Sequence, residues 1–185
     1  MKSANKIRRD MSVKLVAAGA FLSAISIVMG KYLAIPVGEL LRFSFENLPI
    51  ILAGVAFGPI LAILVGVVAD LVGCVLVGYT INPIITVGAA VIGALSGISY
   101  KLFTRLNLPY AVRIVLSVLI SHLFGSVIIK SVGLSAFYSI PLYELMLWRL
   151  LNYLIVGIAE SLILFYLMKN KLLISKINSI KGEKK

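Results

Sequence analysis

Between Ile50 and Val77 only Asp70 carries a charge, and only Gly58-Pro59 interrupts the apolar run. The run is about 28 residues long, too many for one crossing of a hydrocarbon layer that takes about 20. Pro59 lacks a backbone donor, and its ring clashes with the preceding turn, so it divides the stretch. The sequence therefore predicts a short helix over 48–57 and a full span over 59–77. Pro49 fits the first turn of the short helix, where its missing N–H costs nothing. A helix too short to cross lipid alone is tolerated at membrane depth where it lines a protein cavity.

The rest of the chain follows the same logic. With 61% hydrophobic and 14% charged residues in 185, and a mean hydropathy of +1.07, this is an integral membrane protein of one domain. Further spans are predicted over 12–30, 83–103, 111–130 and 143–168. Asn82-Pro83 opens the fourth of these six helices, and Asn107-Leu108-Pro109 turns the chain into the next. The apolar stretch from Val13 to Met29 is too long for a signal-peptide core and reads as a retained first helix. The fold class is all-α, with six transmembrane helices.

The net charge of +11 is concentrated at the ends. Lys2, Lys6, Arg8 and Arg9 lie in a basic tail over 1–11. Lys171, Lys176, Lys181, Lys184 and Lys185 lie in a second tail over 170–185. Lys101, Arg105 and Arg113 flank one internal loop. Positive residues at membrane boundaries mark cytoplasmic segments, so both termini are expected in the cytoplasm, close to anionic headgroups. Nucleic acid is not an expected partner, because no basic surface is interleaved with aromatics. No span repeats another, which argues against an inverted-repeat transporter.

Enzymatic constellations are missing. There is no glycine-rich phosphate loop ending in Lys-Ser or Lys-Thr, no Gly-x-Ser-x-Gly elbow and only one histidine. Cys74 is the only cysteine and sits in an apolar run. Neither a metal nor a cofactor is expected, and the chain is not read as an enzyme.

What remains is a set of polar groups near the outer face. Arg42 is framed by Phe43 and Phe45; it can hold a carboxylate or phosphate bidentately while the rings wall a flat ligand. Asp70, a carboxylate in an apolar helix, is a functional candidate or one half of a helix contact. Tyr79 and Asn82 lie in the next turn, where Asn82 can cap a helix or read a ligand edge. His122 stands four residues before Ser126 on one helix face and can bond a neighbour or a ligand. Trp148, Arg149 and Asn152 recur with helical period. With Glu46 and Lys130 these groups describe a pocket for an anionic, ring-containing small molecule. The alternative for Arg42, Trp148 and Arg149 is an interfacial belt with a snorkelling arginine. Glu160 lies deeper and requires a partner. On the first helix, Gly19 with Ser23 and Ala20 with Ala24 form small-residue faces, suited to internal packing or to a separate membrane subunit.

Leu41-Arg42-Phe43-Ser44-Phe45, Leu48-Pro49-Ile50-Ile51-Leu52-Ala53-Gly54, Phe57-Gly58-Pro59 and Ala69-Asp70-Leu71-Val72-Gly73 resemble the substrate-binding S components of energy-coupling-factor (ECF) vitamin transporters, most of all the folate-specific branch. The resemblance spans essentially the whole chain. It implies a six-helix S-component bundle in the bacterial plasma membrane that captures a vitamin from outside. It also implies a transmembrane coupling subunit and two cytoplasmic ATPase subunits as partners. Ala20 and Ala24 match that family's Ala-x-x-x-Ala docking motif. Folate is the implied ligand, with Arg42 or Arg149 on its carboxylates, Trp148, Tyr79 or Phe43 on its rings, and Asn82 and Asn152 at ring edges. Riboflavin, thiamin and a queuosine precursor are the alternatives within the family. A stand-alone channel or carrier, or a membrane protein without a ligand, are the alternatives outside it.

Overall fold

The computed structural model describes residues 2–37 and 41–182, with side chains for 13–36 and 42–182. The side chains of Lys2, Lys6, Arg8 and Arg9, the loop residues 38–40, and Lys184 and Lys185 lie outside the described residues.

The break predicted at Gly58-Pro59 separates two helices, α2 (Asn47–Phe57) and α3 (Pro59–Val77). Gly58 takes φ +98, a conformation that side-chain-bearing residues rarely adopt, and Pro59 stands in the first turn of α3. Before them, α1 (Lys2–Ile27) continues as a π-helical turn, Val28–Tyr32. The chain then forms an antiparallel hairpin of β1 (Ile35–Val37) and β2 (Leu41–Phe43), pairing Pro36 with Arg42. After α3 come α4 (Pro83–Arg105), α5 (Tyr110–Ser121), a π-helical segment (His122–Ile129), α6 (Lys130–Tyr138), α7 (Leu142–Lys169) and α8 (Lys171–Lys181).

Among the described residues, five helical stretches are long and apolar enough to cross a membrane: Val13–Tyr32, Pro59–Val77, Pro83–Arg105, Tyr110–Tyr138 and Leu142–Lys169. α2 is a shorter apolar helix. Small residues let α3 and α4 approach closely. The small residues Ala62 and Gly66 of α3 meet Gly93 and Ala89 of α4, and Gly97 lies against Pro59. A side chain at Gly66 would sit 2.5 Å from the Ala89 carbonyl oxygen, so the backbones touch. Around α4 the core gathers Ile51, Ala53, Ala62, Val65, Ile92, Ile114, Val118 and Leu164. On the other side of α3, Ile60, Leu64, Val68 and Val72 recur every four residues and are exposed, as a lipid-facing stripe requires.

Two expectations are corrected. The helix expected over 111–130 runs on without a break to Tyr138, so most of the link expected between it and the span over 143–168 is helical. Lys130, where the expected helix ends, turns into the bundle, and its Nζ lies 2.9 Å from Glu46 Oε1. The helix stops instead at Ser139, with φ +55. The tail over 170–185 contains α8, begun by Asn170, whose side-chain oxygen accepts from the N–H groups of Leu172 and Leu173. Residues 31–47, between the first two predicted helices, contain the hairpin.

Candidate functional site

At the hairpin end of the bundle lies a cavity of about 430 Å³. Its wall comes from the end of α1 (Lys31), the hairpin (Arg42), the approach to α2 (Ser44, Glu46), α3 (Asp70, Cys74), the α3–α4 turn (Tyr79, Thr80), α6 (Lys130, Leu134, Tyr138) and α7 (Leu145, Arg149, Asn152, Tyr153).

Arg149 reaches this wall because it sits nearly two turns into α7, where lipid cannot satisfy it. Its Nε donates to the Ser126 carbonyl oxygen at 2.9 Å, and its Nη2 donates weakly to the Tyr153 hydroxyl at 3.4 Å. The guanidinium carbon also lies 5.3 Å from the Tyr153 ring centroid, within cation–π range. Asn152, one turn above Val156, donates through Nδ2 to the Arg42 carbonyl oxygen at 3.0 Å and so ties the hairpin to α7. Its Oδ1 is buried and has no hydrogen-bond donor among the described residues. Arg42 Nη2 donates to the Gly30 carbonyl oxygen at 2.7 Å, closing the hairpin onto the end of α1. Lys31 lies 5.5 Å above the Tyr79 ring.

The two carboxylates of the wall are already engaged. Asp70 Oδ2 accepts from Thr86 Oγ1 at 2.6 Å. Glu46 accepts from Lys130 at 2.9 Å, and its own backbone carbonyl accepts from Ser26 at 2.6 Å. Burial pushes the Glu46 carboxyl up, but the ammonium of Lys130 beside it, with Lys31 and Arg149 further off, outweighs that and holds it at about 2. Lys31, Arg42, Lys130 and Arg149 thus face Glu46 and Asp70 among the described residues, a formal excess of two positive charges. With Tyr79, Tyr138 and Tyr153 in the same wall, the arrangement suits an anion that also carries an aromatic body.

The structure brings Arg42, Asp70, Tyr79, Arg149 and Asn152 of the sequence-predicted set into one wall. It sets Phe43, Asn82, His122 and Trp148 elsewhere. Phe43 packs on Val127, Tyr153 and Val156. Asn82 caps α4, accepting from the Ile84 and Ile85 N–H groups and donating to the Gly133 carbonyl oxygen at 2.8 Å. Trp148 is 46% exposed on the outer side of α7. His122 is buried behind the wall, its Nε2 2.6 Å from Glu160 Oε2. Sequence reasoning missed Lys31, Thr80, Tyr138 and the cavity role of Tyr153. Only Tyr153 carried a signal, since it falls one helical turn after Arg149.

On α1 the two small-residue faces separate. Gly19 and Ser23 turn inward: a side chain at Gly19 would meet Leu61, and Ser23 Oγ donates to the Gly19 carbonyl oxygen at 3.0 Å. Ala20 and Ala24 are exposed.

Comparison with known proteins places this geometry in context. The family model described as "ECF transporter, substrate-specific component" matches residues 14–174. Among solved structures, FolT bound with folic acid superposes with a TM-score of 0.69 at 28% identity, covering 86% of this chain and 95% of that one. The S component for biotin from an ECF-type ABC transporter gives a TM-score of 0.63 at 23% identity, over 86% and 93% of the two chains. Another S component of a bacterial ECF transporter gives 0.61 at 22% identity, over 85% and 95%. The last two show the shared fold alone. Comparison with curated proteins finds no match.

Proposed function

Since the chain belongs to the family of substrate-specific components of ECF transporters, a substrate-binding membrane subunit and not an enzyme, we propose that its ligand is folate. The observation that carries this reading is the charge of the cavity wall: Lys31, Arg42, Lys130 and Arg149 against Glu46 and Asp70. Folate ends in a glutamate with two carboxylates, which match the positive excess. Its pterin and aryl rings match the tyrosines, and a pterin N–H matches the buried Asn152 Oδ1, which lacks a donor. The likeness to FolT bound with folic acid supports the same ligand. A cationic vitamin such as thiamin is disfavoured by the same charges.

In this reading the hairpin end faces outside, the termini and α8 face the cytoplasm, and the membrane is the bacterial plasma membrane. Release inside requires a coupling subunit and two ATPase subunits. The exposed Ala20 and Ala24 offer the coupling subunit a face of close approach.

Titrating the purified protein with folate, riboflavin and thiamin tests the ligand. Folate is expected to bind far more tightly than the other two. Arg149→Ala should weaken it by about 10- to 100-fold, the worth of a charge-assisted hydrogen bond. Riboflavin or thiamin binding in place of folate, or an Arg149→Ala variant with full folate affinity, would refute the reading.

A further inference from the structure

We infer that His122, held by Glu160, is a positioning residue for the Arg149 guanidinium, and so sets the affinity of the cavity for the anionic end of its ligand without touching it. The inference rests on the anionic-ligand reading above.

A buried, hydrogen-bonded pair of ionisable side chains in the middle of a membrane helix bundle is costly, and a pair of apolar side chains would pack there at less expense. His122 and Glu160 are nonetheless 2% and 0% exposed and 2.6 Å apart. Neither lines the cavity. Both contacts that His122 makes on the cavity side lead to Arg149. First, its ring stacks on Tyr153, with centroids 4.7 Å apart and planes 23° from parallel. Tyr153 is the ring on which the Arg149 guanidinium rests. Second, His122 Nδ1 lies 3.3 Å from Ser126 Oγ, and the Ser126 carbonyl oxygen accepts the Arg149 Nε–H.

The backbone is shaped for the second route. In an α-helix the Lys130 N–H would take the Ser126 carbonyl. Here it reaches back five residues to the Gly125 carbonyl, at the end of the π-helical segment. The Ser126 oxygen is thereby released to Arg149. A π-helical segment that starts at His122 and frees the acceptor for a cavity arginine links the two side chains through one element. Glu160 fixes the imidazole, the imidazole fixes Tyr153 and Ser126, and these two hold the guanidinium, Ser126 through its Nε–H and Tyr153 through its ring and hydroxyl.

The test compares folate with its diamide, in which both glutamate carboxylates are amides. His122→Ala is expected to weaken folate by about 10-fold, the cost of a guanidinium displaced from its seat, and to change the diamide by less than about 2-fold. Glu160→Gln, nearly isosteric, is expected to act in the same direction and stands in should His122→Ala fail to fold. In an Arg149→Met background neither change should weaken folate further, because the group they position is gone. Equal losses for both ligands, or full additivity with Arg149→Met, would mean a merely structural pair and overturn the inference. If the native chain binds neither ligand, or both alike, the ligand reading has failed. The positioning link then stands or falls on the imidazole itself. His122 is the only histidine, so isotope-labelled histidine gives an unambiguous nitrogen signal by NMR. That signal must move in ligand-free Arg149→Met; an unmoved signal overturns the inference.

Discussion

Lys130 offers the sharpest test of how this fold is held together, because it is a lysine turned inward from a helix that borders lipid. Replacing it with methionine keeps the length of the stem, which lies against Gly88 of α4, and removes the charge. At 2.9 Å from Glu46, the Coulomb attraction is about 6 kcal/mol at an effective dielectric constant of 20, before desolvation is charged against it. The net effect is smaller. Holding the Glu46 carboxyl at about 2 instead of its ordinary 4.5 corresponds to about 3 kcal/mol in favour of the ionised form. Glu46 is 27% exposed, so water recovers part of that once the lysine is gone. The expected cost of Lys130→Met is therefore about 3 kcal/mol, the lower end of the range for breaking a buried pair. Thermal melts of the ligand-free protein in one fixed detergent, followed by circular dichroism, should show a drop of roughly 6–12 °C for a chain of this size.

The partner change decides the cause. Adding Glu46→Gln to Lys130→Met removes the stranded charge and should restore most of the loss. A Lys130→Met variant that loses less than about 1 kcal/mol, with a double variant that loses the full sum of the singles, would refute the argument. The pH dependence has a fixed sign. Because the folded-state value is depressed, the pair's contribution is complete above about 4.5 and is lost as the pH falls towards about 2. Between pH 5 and 8 this carboxylate should not move the melting temperature.

Asn82→Ala should cost about 1–2 kcal/mol in the same melts, through the lost α4 cap and the lost bond to Gly133, while folate affinity stays within about 2-fold. Trp148→Phe should leave folate affinity unchanged by titration, since the indole is outside the cavity wall. Gly93→Val should lower the melting temperature sharply, because the added atoms meet the Ala62 backbone, which cannot give way; overpacking of this kind costs about 1–3 kcal/mol or more. Ala20→Leu with Ala24→Leu should leave folding and folate binding intact and reduce co-purification with the coupling subunit, since both side chains are exposed.

Where one residue type at one spacing dictates a structure, the sequence was sufficient. Pro59 divides α2 from α3 because its ring forbids a continuous helix. Arg149 and Asn152 share a wall because helical period places them on one face of α7. Partnerships between distant residues were not legible. A lone Glu160 or Lys130 in an apolar helix announces a cost, and the cost demands a partner, but spacing within one helix cannot say that Glu160 meets His122 or that Lys130 meets Glu46. Lys130 also shows why helix ends near charges mislead: a lysine satisfied inside the bundle gives the helix no reason to stop.

The same cost explains why the cavity is ready for an anion before one arrives. In lipid an unpartnered charge is too expensive to keep, so each carboxylate of the wall is matched within the protein, Glu46 by Lys130 and Asp70 by Thr86. The cations exceed them, and their remaining donors are satisfied only in part, by carbonyls of Gly30 and Ser126 and by the Tyr79 and Tyr153 rings. Those contacts hold the cationic side chains in place but cannot neutralise them. On the folate reading, a dicarboxylate entering the cavity would supply the missing countercharge. On that reading the excess positive charge of the wall is the source of its affinity. The stabilisation by ligand should grow with the logarithm of its concentration, and most of that gain should vanish with the charge of Arg149.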